Sequence, residues 1–407
     1  MFTVKDMLEI PDFRDFRIIA GEGGSTREIK TVSVMDAPDI YEWMKGGEFL
    51  ITSAYVMREH PEQAADLIER LVENGASAFG IKFTRFIDGL PKEALETAEK
   101  LNFPIISIPV EFAFTDVIDP VLREIVDAQI EAKYREEFVQ DLIYSNIKYR
   151  EEVYNRAEIY HWDFRNGGMV VIVDVDDFKL KYAEGLDRQK NERMEWDMSR
   201  VMRISGNILR QSGHQISFSK LNDRIVYIVS FVQGMEEISR LRELLERLRE
   251  EIHRQTELTV TIGVGKYCGD IFDISESFQE AKKAIVISRT LYPRDRVSCY
   301  EELGIYKLLN LVKNTPEAEE FEEKYVTKLK EYDRKNKSEL WDTLAVLVQC
   351  GWNMRKASEQ LYIHYNSMKY RYRKICEVLG EDLQNHNRRL DAQIAVDLYL
   401  LGKGDGE

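Results

Sequence analysis

The sequence predicts a multidomain α/β and α+β protein that ends in an all-α segment. Three observations carry that reading. The 407 residues exceed what one ordinary core organises. Strand and helix periodicities alternate through residues 1–300. Beyond residue 301 only helical patterns follow, and they include the basic, aromatic-laced stretch "GWNMRKASEQLYIHYNSMKYRYRKICEVLG" at 351–380.

Within residues 1 to about 120, "TVKDMLEI" reads as a short amphipathic helix. "TREIKTVSVM" and "GEFLITSAY" read as strands. "HPEQAADLIERLVENGA" reads as a helix with Pro61 in its first turn and Gly75 at its stop. "SAFGIKF", "PKEALETAEKLN" and "FPIISIPV" continue as strand, helix and strand, which makes an α/β domain. In "VMDAPDIYEWMKGGEFLITSAY", residues 34–55, Asp36 is placed to cap a helix carrying Pro38, with Asp39 as a weaker capping-box acid. Gly46 and Gly47 permit a sharp reversal into the next strand. This stretch is either a capped helix with a tight turn or a small-molecule pocket built from Asp36, Asp39, Gly46, Gly47 and Glu48. With no GxGxxG and no GxxxxGK[ST], a dinucleotide site or P-loop is unsupported.

Residues 119–160 carry Leu122, Val126, Ile130, Tyr134, Phe138 and Leu142 at four-residue steps, with Ile125 and Ile143 beside them. A long helix here joins two domains, pairs with its copy in a dimer, or packs on its own domain. A strict four-residue step is not a heptad, so it does not prove a coiled coil. The middle segment, 161–300, has the order β-α-β-β-α-β of a ferredoxin-like sheet. "GGMVVIVDVDDFKL" is its buried first strand. Asp174, Asp176 and Asp177 at the strand end suggest a divalent-metal and phosphate site when read alone. The charge-mixed helix "EISRLRELLERLREEIHRQ" reads as a solvated face, not a DNA surface.

The last segment, 301–407, places a helix-turn-helix at about 353–380. Asn353 is set to cap "MRKASEQL", "YIH" to turn, and "YNSMKYRYRKICEVLG" to form a helix ended by Gly380. Met368, Tyr372, Ile375 and Leu379 form its inward stripe. Tyr365, Asn366, Lys369, Tyr370, Arg373 and Lys374 share the remaining surface. Asn366 and Lys369 suit adenine and guanine edges, while Ser367, Arg371, Arg373, Arg355 and Lys356 suit phosphates. The plainer alternative makes Tyr370 and Tyr372 core and the cations solubilising. Residues 384–401 offer one more amphipathic helix.

Bulk properties narrow the class. The formal charge of −15 argues against a chain coated for nonspecific nucleic-acid binding, but it leaves room for one basic surface. Cys268, Cys299, Cys350 and Cys376 are scattered without a CxxC pair, which indicates neither a disulfide framework nor a zinc knuckle. Apolar runs such as "MVVIV" fall far below the roughly 20 residues that span a bilayer. The N-terminus lacks the pattern of a secretion signal. The expectation is a soluble cytoplasmic protein with no membrane association, no cofactor and no bound metal.

Three segments resemble the PucR family of bacterial transcriptional regulators. In residues 3–110 the matching pieces are "TVKDMLEIPDF", "VMDAPDIYEWMKGGEFLITSAY", "GIKF" and "FPIISIP". The resemblance implies an effector-sensing module over 1–118. "VIVDVDDFK" and "LTVTIGVG" resemble the family's divergent nucleotide-cyclase-like GGDEF fold. "LNDRI" at 221–225 stands where an active diguanylate cyclase carries Gly-Gly-Asp-Glu-Phe. Both glycines are missing and Arg224 replaces a carboxylate, which implies a degenerate domain with Asp174 and Asp176 as vestigial metal ligands left without their partners. Ala357, Leu361, His364, Asn366, Ser367, Met368, Tyr370, Arg371, Tyr372, Ile375, Leu379 and Gly380 fall on the family's C-terminal pattern. Tyr365 stands where a basic residue is common. The resemblance implies a regulator that binds double-stranded promoter DNA, answers a small metabolite and works as a homodimer or higher homo-oligomer. A nucleotide-cyclase-like enzyme and a metabolite-binding scaffold without DNA contact are the alternatives.

Overall fold

Runs of β-branched and aromatic residues assemble into two five-stranded sheets. The structure is a computed structural model and describes residues 1–83, 86–178, 188–211, 213–230 and 238–403. The chain divides into two units, Met1–Arg135 and Glu136–Glu407.

The first unit opens with α1 (Val4–Leu8). Its Thr3 and Asp6 cap each other reciprocally. Strands β1 (Arg17–Ala20), β2 (Thr31–Val34), β3 (Glu48–Thr52), β4 (Ala78–Ile81) and β5 (Ile105–Ser107) form a sheet in the order β1-β5-β4-β3-β2. Strands β2 to β5 run parallel, and β1 pairs antiparallel with β5. Every residue of β3 and β4 is buried, as expected of parallel strands covered on both faces. Helices α2 (Ala64–Glu73) and α3 (Lys92–Lys100) cover one face through Ile68, Leu71, Ala94 and Ala98. Phe13, Phe49, Ile51 and Ile106 pack on the other. The short strand β1 was not legible in the sequence.

One local expectation fails. No α-helix follows Asp36. Residues 37–39 bend and turn, and a single 3₁₀ turn, Ile40–Trp43, follows Asp39, whose side chain makes no cap bond. The stretch must reach Gly46 and Gly47, at φ 89° and 90°, to reverse into β3. So few residues do not offset the cost of nucleating an α-helix.

Helix α4 (Phe114–Ile143) is 30 residues long. Val117, Val121 and Ile125 are buried in the first unit's core. Phe138, Val139, Leu142 and Ile143 are buried in the second unit's. Between them Leu122, Val126, Ile130 and Tyr134 are 38–56% exposed. The predicted apolar line is therefore core at its far end and surface along most of its length.

In the second unit α5 (Arg150–Ile159) precedes β6 (Gly168–Val175), α6 (Arg188–Gln211), β7 (Gln215–Leu221), β8 (Arg224–Ser230), α7 (Ile238–Thr256), β9 (Val260–Val264), α8 (Ile274–Leu291) and β10 (Val297–Cys299). The sheet order is β10-β9-β6-β8-β7. Removing β10 leaves the ferredoxin-like arrangement, and β10 adds parallel to β9. Asn222 at φ 54° makes the two-residue hairpin turn between Leu221 and Arg224. Helices α6 and α7 cover one sheet face through Val201, Leu245 and Leu248. Helix α8 and the end of α4 cover the other through Phe278, Ala281 and Phe138.

Seven helices complete the unit: α9 (Tyr306–Val312), α10 (Pro316–Glu322), α11 (Lys328–Asn336), α12 (Leu340–Gln349), α13 (Met354–Gln360), α14 (Tyr365–Leu379) and α15 (His386–Lys403). Leu344, Leu347, Met368, Ile375 and Val396 form the core of α11–α15, and Leu309 of α9 and Ala318 of α10 pack with Ala284 and Ile287 of α8. Among the described residues no helix is long and apolar enough to cross a membrane. Asp397 on α15 is 6% exposed, and burial pushes its carboxyl up to about 6. Its folded value lies above the unfolded one, so its favourable contribution is complete below pH 4 and is lost as pH rises through 6. Asp397→Asn should therefore raise thermal stability above pH 6, by roughly 2–3 kcal/mol, and leave it unchanged below pH 4. Melting curves across that range check this.

Candidate nucleic-acid interface

Each boundary of the helix-turn-helix has a local cause. Asn353 Oδ1 accepts from the amides of Arg355 and Lys356 at 3.1 Å each, which starts α13. Tyr362 turns the chain at φ 53°. His364 Nδ1 accepts from Asn366 N at 3.2 Å and caps α14. Gly380 closes it at φ 72°, its amide donating to Cys376 O. Ala357 is fully buried, a small residue where α13 and α14 pack. Met368, Tyr372, Ile375 and Leu379 point inward as their spacing requires.

At 100° per residue, Asn366, Tyr370 and Arg373 lie opposite that stripe and form the outermost line of α14. Tyr370 is 68% exposed, so it is not core, and Tyr372 is. Arg355, Lys356, Tyr365, Ser367 and Lys369 are also exposed. The Lys369 ammonium sits 4.9 Å from the Tyr365 ring centre, one turn back. Lys374 pairs with Glu377 at 2.8 Å.

Arg371 departs from the phosphate role expected of it. Its guanidinium donates to Glu339 at 2.9 Å and to Thr343 Oγ1 at 3.2 Å. Residue 371 lies on the flank of α14 that meets α12, so its charge is engaged in joining the two helices. That flank borders an open groove of about 820 Å³, lined by Lys337, Ser338, Asn366, Ser367, Tyr370 and Lys374 among others. Lys337, at the turn between α11 and α12, is a surface cation beside α14 that the helix-turn-helix pattern did not single out.

Three family descriptions match in series. A purine catabolism regulatory protein-like family covers residues 6–125, a GGDEF-like domain 145–287 and a PucR C-terminal helix-turn-helix domain 340–398. The chain is a PucR-type, DNA-binding transcriptional regulator. It is 21% identical to the purine catabolism regulatory protein of Bacillus subtilis, over 98% of this chain and 99% of that one. It is 27% identical to the proline-responsive transcriptional activator PutR of the same organism, over 51% of this chain and 50% of that one. It is 26% identical to the carbohydrate diacid regulator of Escherichia coli, over 66% of each. A solved regulator of polyketide synthase expression from Bifidobacterium adolescentis covers 68% of this chain with a TM-score of 0.31 and 13% identity. The three sequence relatives are named as regulators or activators.

The acids of the GGDEF-like domain have partners that the sequence did not reveal. Arg289, on α8, places Nη2 2.8 Å from Asp174 Oδ1 and 2.7 Å from Asp176 Oδ1. Arg224 Nε lies 2.5 Å from Asp174 Oδ2. Thr261 Oγ1 and the Asp295 amide donate to Asp176 at 2.7 and 3.1 Å. Asp177 pairs with Arg294. Asp174 is 1% exposed, and burial pushes its carboxyl upward against the pull of Arg289 and Arg224. Two guanidinium groups stand where a divalent cation would need open carboxylate oxygens, so these residues do not fit a metal. Among the described residues no group of three or more candidate ligands gathers.

In the first unit the five candidate effector residues do not converge. Asp39 borders a cavity of about 250 Å³ with Met35, Tyr41, Met57, Asp66 and Arg70. Asp36 is exposed and outside that lining. Gly46, Gly47 and Glu48 lie at the opposite end of β3 from Met57, where Glu48 Oε1 accepts from the Lys45 amide at 2.7 Å and Gly47 N donates to Gly75 O. The sequence signal in this stretch is therefore mostly a strand entry, and the cavity draws its other residues from segments the motif did not include.

Proposed function

We propose that this PucR-type regulator is a cytoplasmic metabolite-responsive switch that reads a promoter site as a homodimer, without catalysing a reaction. The outward line Asn366–Tyr370–Arg373 on α14 carries the DNA-reading part. It offers an amide, a phenol and a guanidinium on a surface from which apolar residues are withdrawn. Asn366 and Lys369 address base edges, and Arg355, Lys356 and Arg373 address phosphates. One such reader buries modest area, and two on a repeated or palindromic site supply useful affinity. The exposed line Leu122–Val126–Ile130–Tyr134 gives a second copy apolar surface to cover.

The relatives' names point to purine catabolism, proline and carbohydrate diacids. Purine or nitrogen catabolism is thus the proposed setting. Selection of bound fragments from the source genome tests the reading. Enrichment of a short repeated site beside catabolic genes is expected, and retention without sequence preference would overturn it. Cyclase activity is disfavoured because Arg289 and Arg224 occupy the acids. Incubation with GTP and Mg²⁺ should leave the nucleotide unchanged.

A further inference from the structure

The cavity of the first unit lies at the carboxyl ends of β2 and β3, where Met35 follows one strand and Val56 and Met57 follow the other. In parallel α/β sheets that is the end at which ligands bind. The floor is apolar, with Met35, Met57 and Leu67. The rim is charged. Asp39 comes from the turn after β2, while Asp66 and Arg70 stand one turn apart on α2. Arg70 packs its guanidinium over the Tyr41 ring at 5.0 Å and donates to the Tyr41 hydroxyl at 2.5 Å. That contact fixes a cation at the mouth.

We propose that this cavity is the metabolite site and that it takes a small zwitterion with an apolar body, such as an aliphatic amino acid. The ligand carboxylate pairs with Arg70, its ammonium faces Asp39 and Asp66, and its body covers the methionines. Three physical arguments select this class. A volume of about 250 Å³ is below the roughly 300–1,000 Å³ of drug-sized sites. Two carboxylates against one arginine repel a dianion, and the lining's His60 is already paired with Glu62 at 3.0 Å. A nucleoside triphosphate needs a phosphate cradle, and neither a P-loop nor a dinucleotide-binding motif occurs in the sequence.

The proposal rests on the metabolite-responsive reading above. Calorimetric titration of the full chain with L-proline, L-valine, glutarate and hypoxanthine tests it. Saturable binding of at least one of the two amino acids is expected, with none by glutarate. Arg70→Met should weaken that binding tenfold or more, because a charged hydrogen bond is lost. The melting temperature of the unliganded chain should hold, since Arg70 is exposed. Asp39→Asn with Asp66→Asn should shift preference toward glutarate. Silence from both amino acids, binding of glutarate or hypoxanthine by the unaltered chain, or binding that survives Arg70→Met would overturn it. Promoter retention is measured on the same samples. Retention that never responds to a bound amino acid removes the switch reading, whereas retention without amino-acid binding removes only this site.

Discussion

Asn366→Ala should lower specific promoter retention by roughly ten- to a hundredfold per half-site, the cost expected of one bidentate base contact. Its side chain is exposed, so the melting temperature should not move. Discrimination should relax at one base position and persist elsewhere. Lys369→Ala should give a loss of similar size. Arg373→Ala should behave differently. It should weaken all sequences about equally and reduce the salt dependence by about one ion. Arg371→Ala provides the contrast. Its bonds run to α12, so it should lower stability, by about 1 kcal/mol for a half-exposed pair, more than it alters base preference. Gel retention across a salt series, with melting curves alongside, separates the four. If Asn366→Ala and Lys369→Ala leave retention intact, α14 is not the reader.

Arg289→Ala should destabilise the GGDEF-like domain by about 3–5 kcal/mol. The guanidinium bridges two carboxylates, and Asp174 cannot reach water at 1% exposure. Removing it leaves two like charges in a low-dielectric site with only Arg224, on the Asp174 side, to offset them. Arg289→Lys should recover part of the loss, because an ammonium carries the charge but not the planar fork. Adding Asp174→Asn and Asp176→Asn to Arg289→Met should recover most of it, because the two carboxylates and the bridging guanidinium are then gone and the remaining charge, Arg224, is 36% exposed. Urea unfolding followed by circular dichroism gives the order. Equal stability of Arg289→Ala and the unaltered chain would show that the ion cluster is dispensable.

The legible parts of this protein are those in which a short stretch determines its own conformation. Asn353, His364 and Gly380 cap and end helices from within a few residues, and Met368, Tyr372, Ile375 and Leu379 share a face through helical period alone. The β-α-β-β-α-β order likewise covers four of the sheet's five strands, and the parallel edge strand β10 lies outside it. What escaped depended on partners far along the chain. Arg289 lies 115 residues from Asp174 and reads by itself as an ordinary helical arginine. Arg371 looked equivalent to Arg373 until α12 occupied one flank. The cavity around Arg70 unites a strand end, a 3₁₀ turn and a helix, and no periodicity in any of them announces the others. Asp36 misled because capping chemistry was present without enough chain for a helix.

The Arg289 bridge also has a consequence for how this domain meets its environment. A fold that borrows a divalent ion to settle its acids is tied to the cell's supply of that ion, and a chelator can take it away. Here the counter-charge is written into the polypeptide and arrives with translation. The domain's architecture should therefore be indifferent to EDTA and to swings in free magnesium.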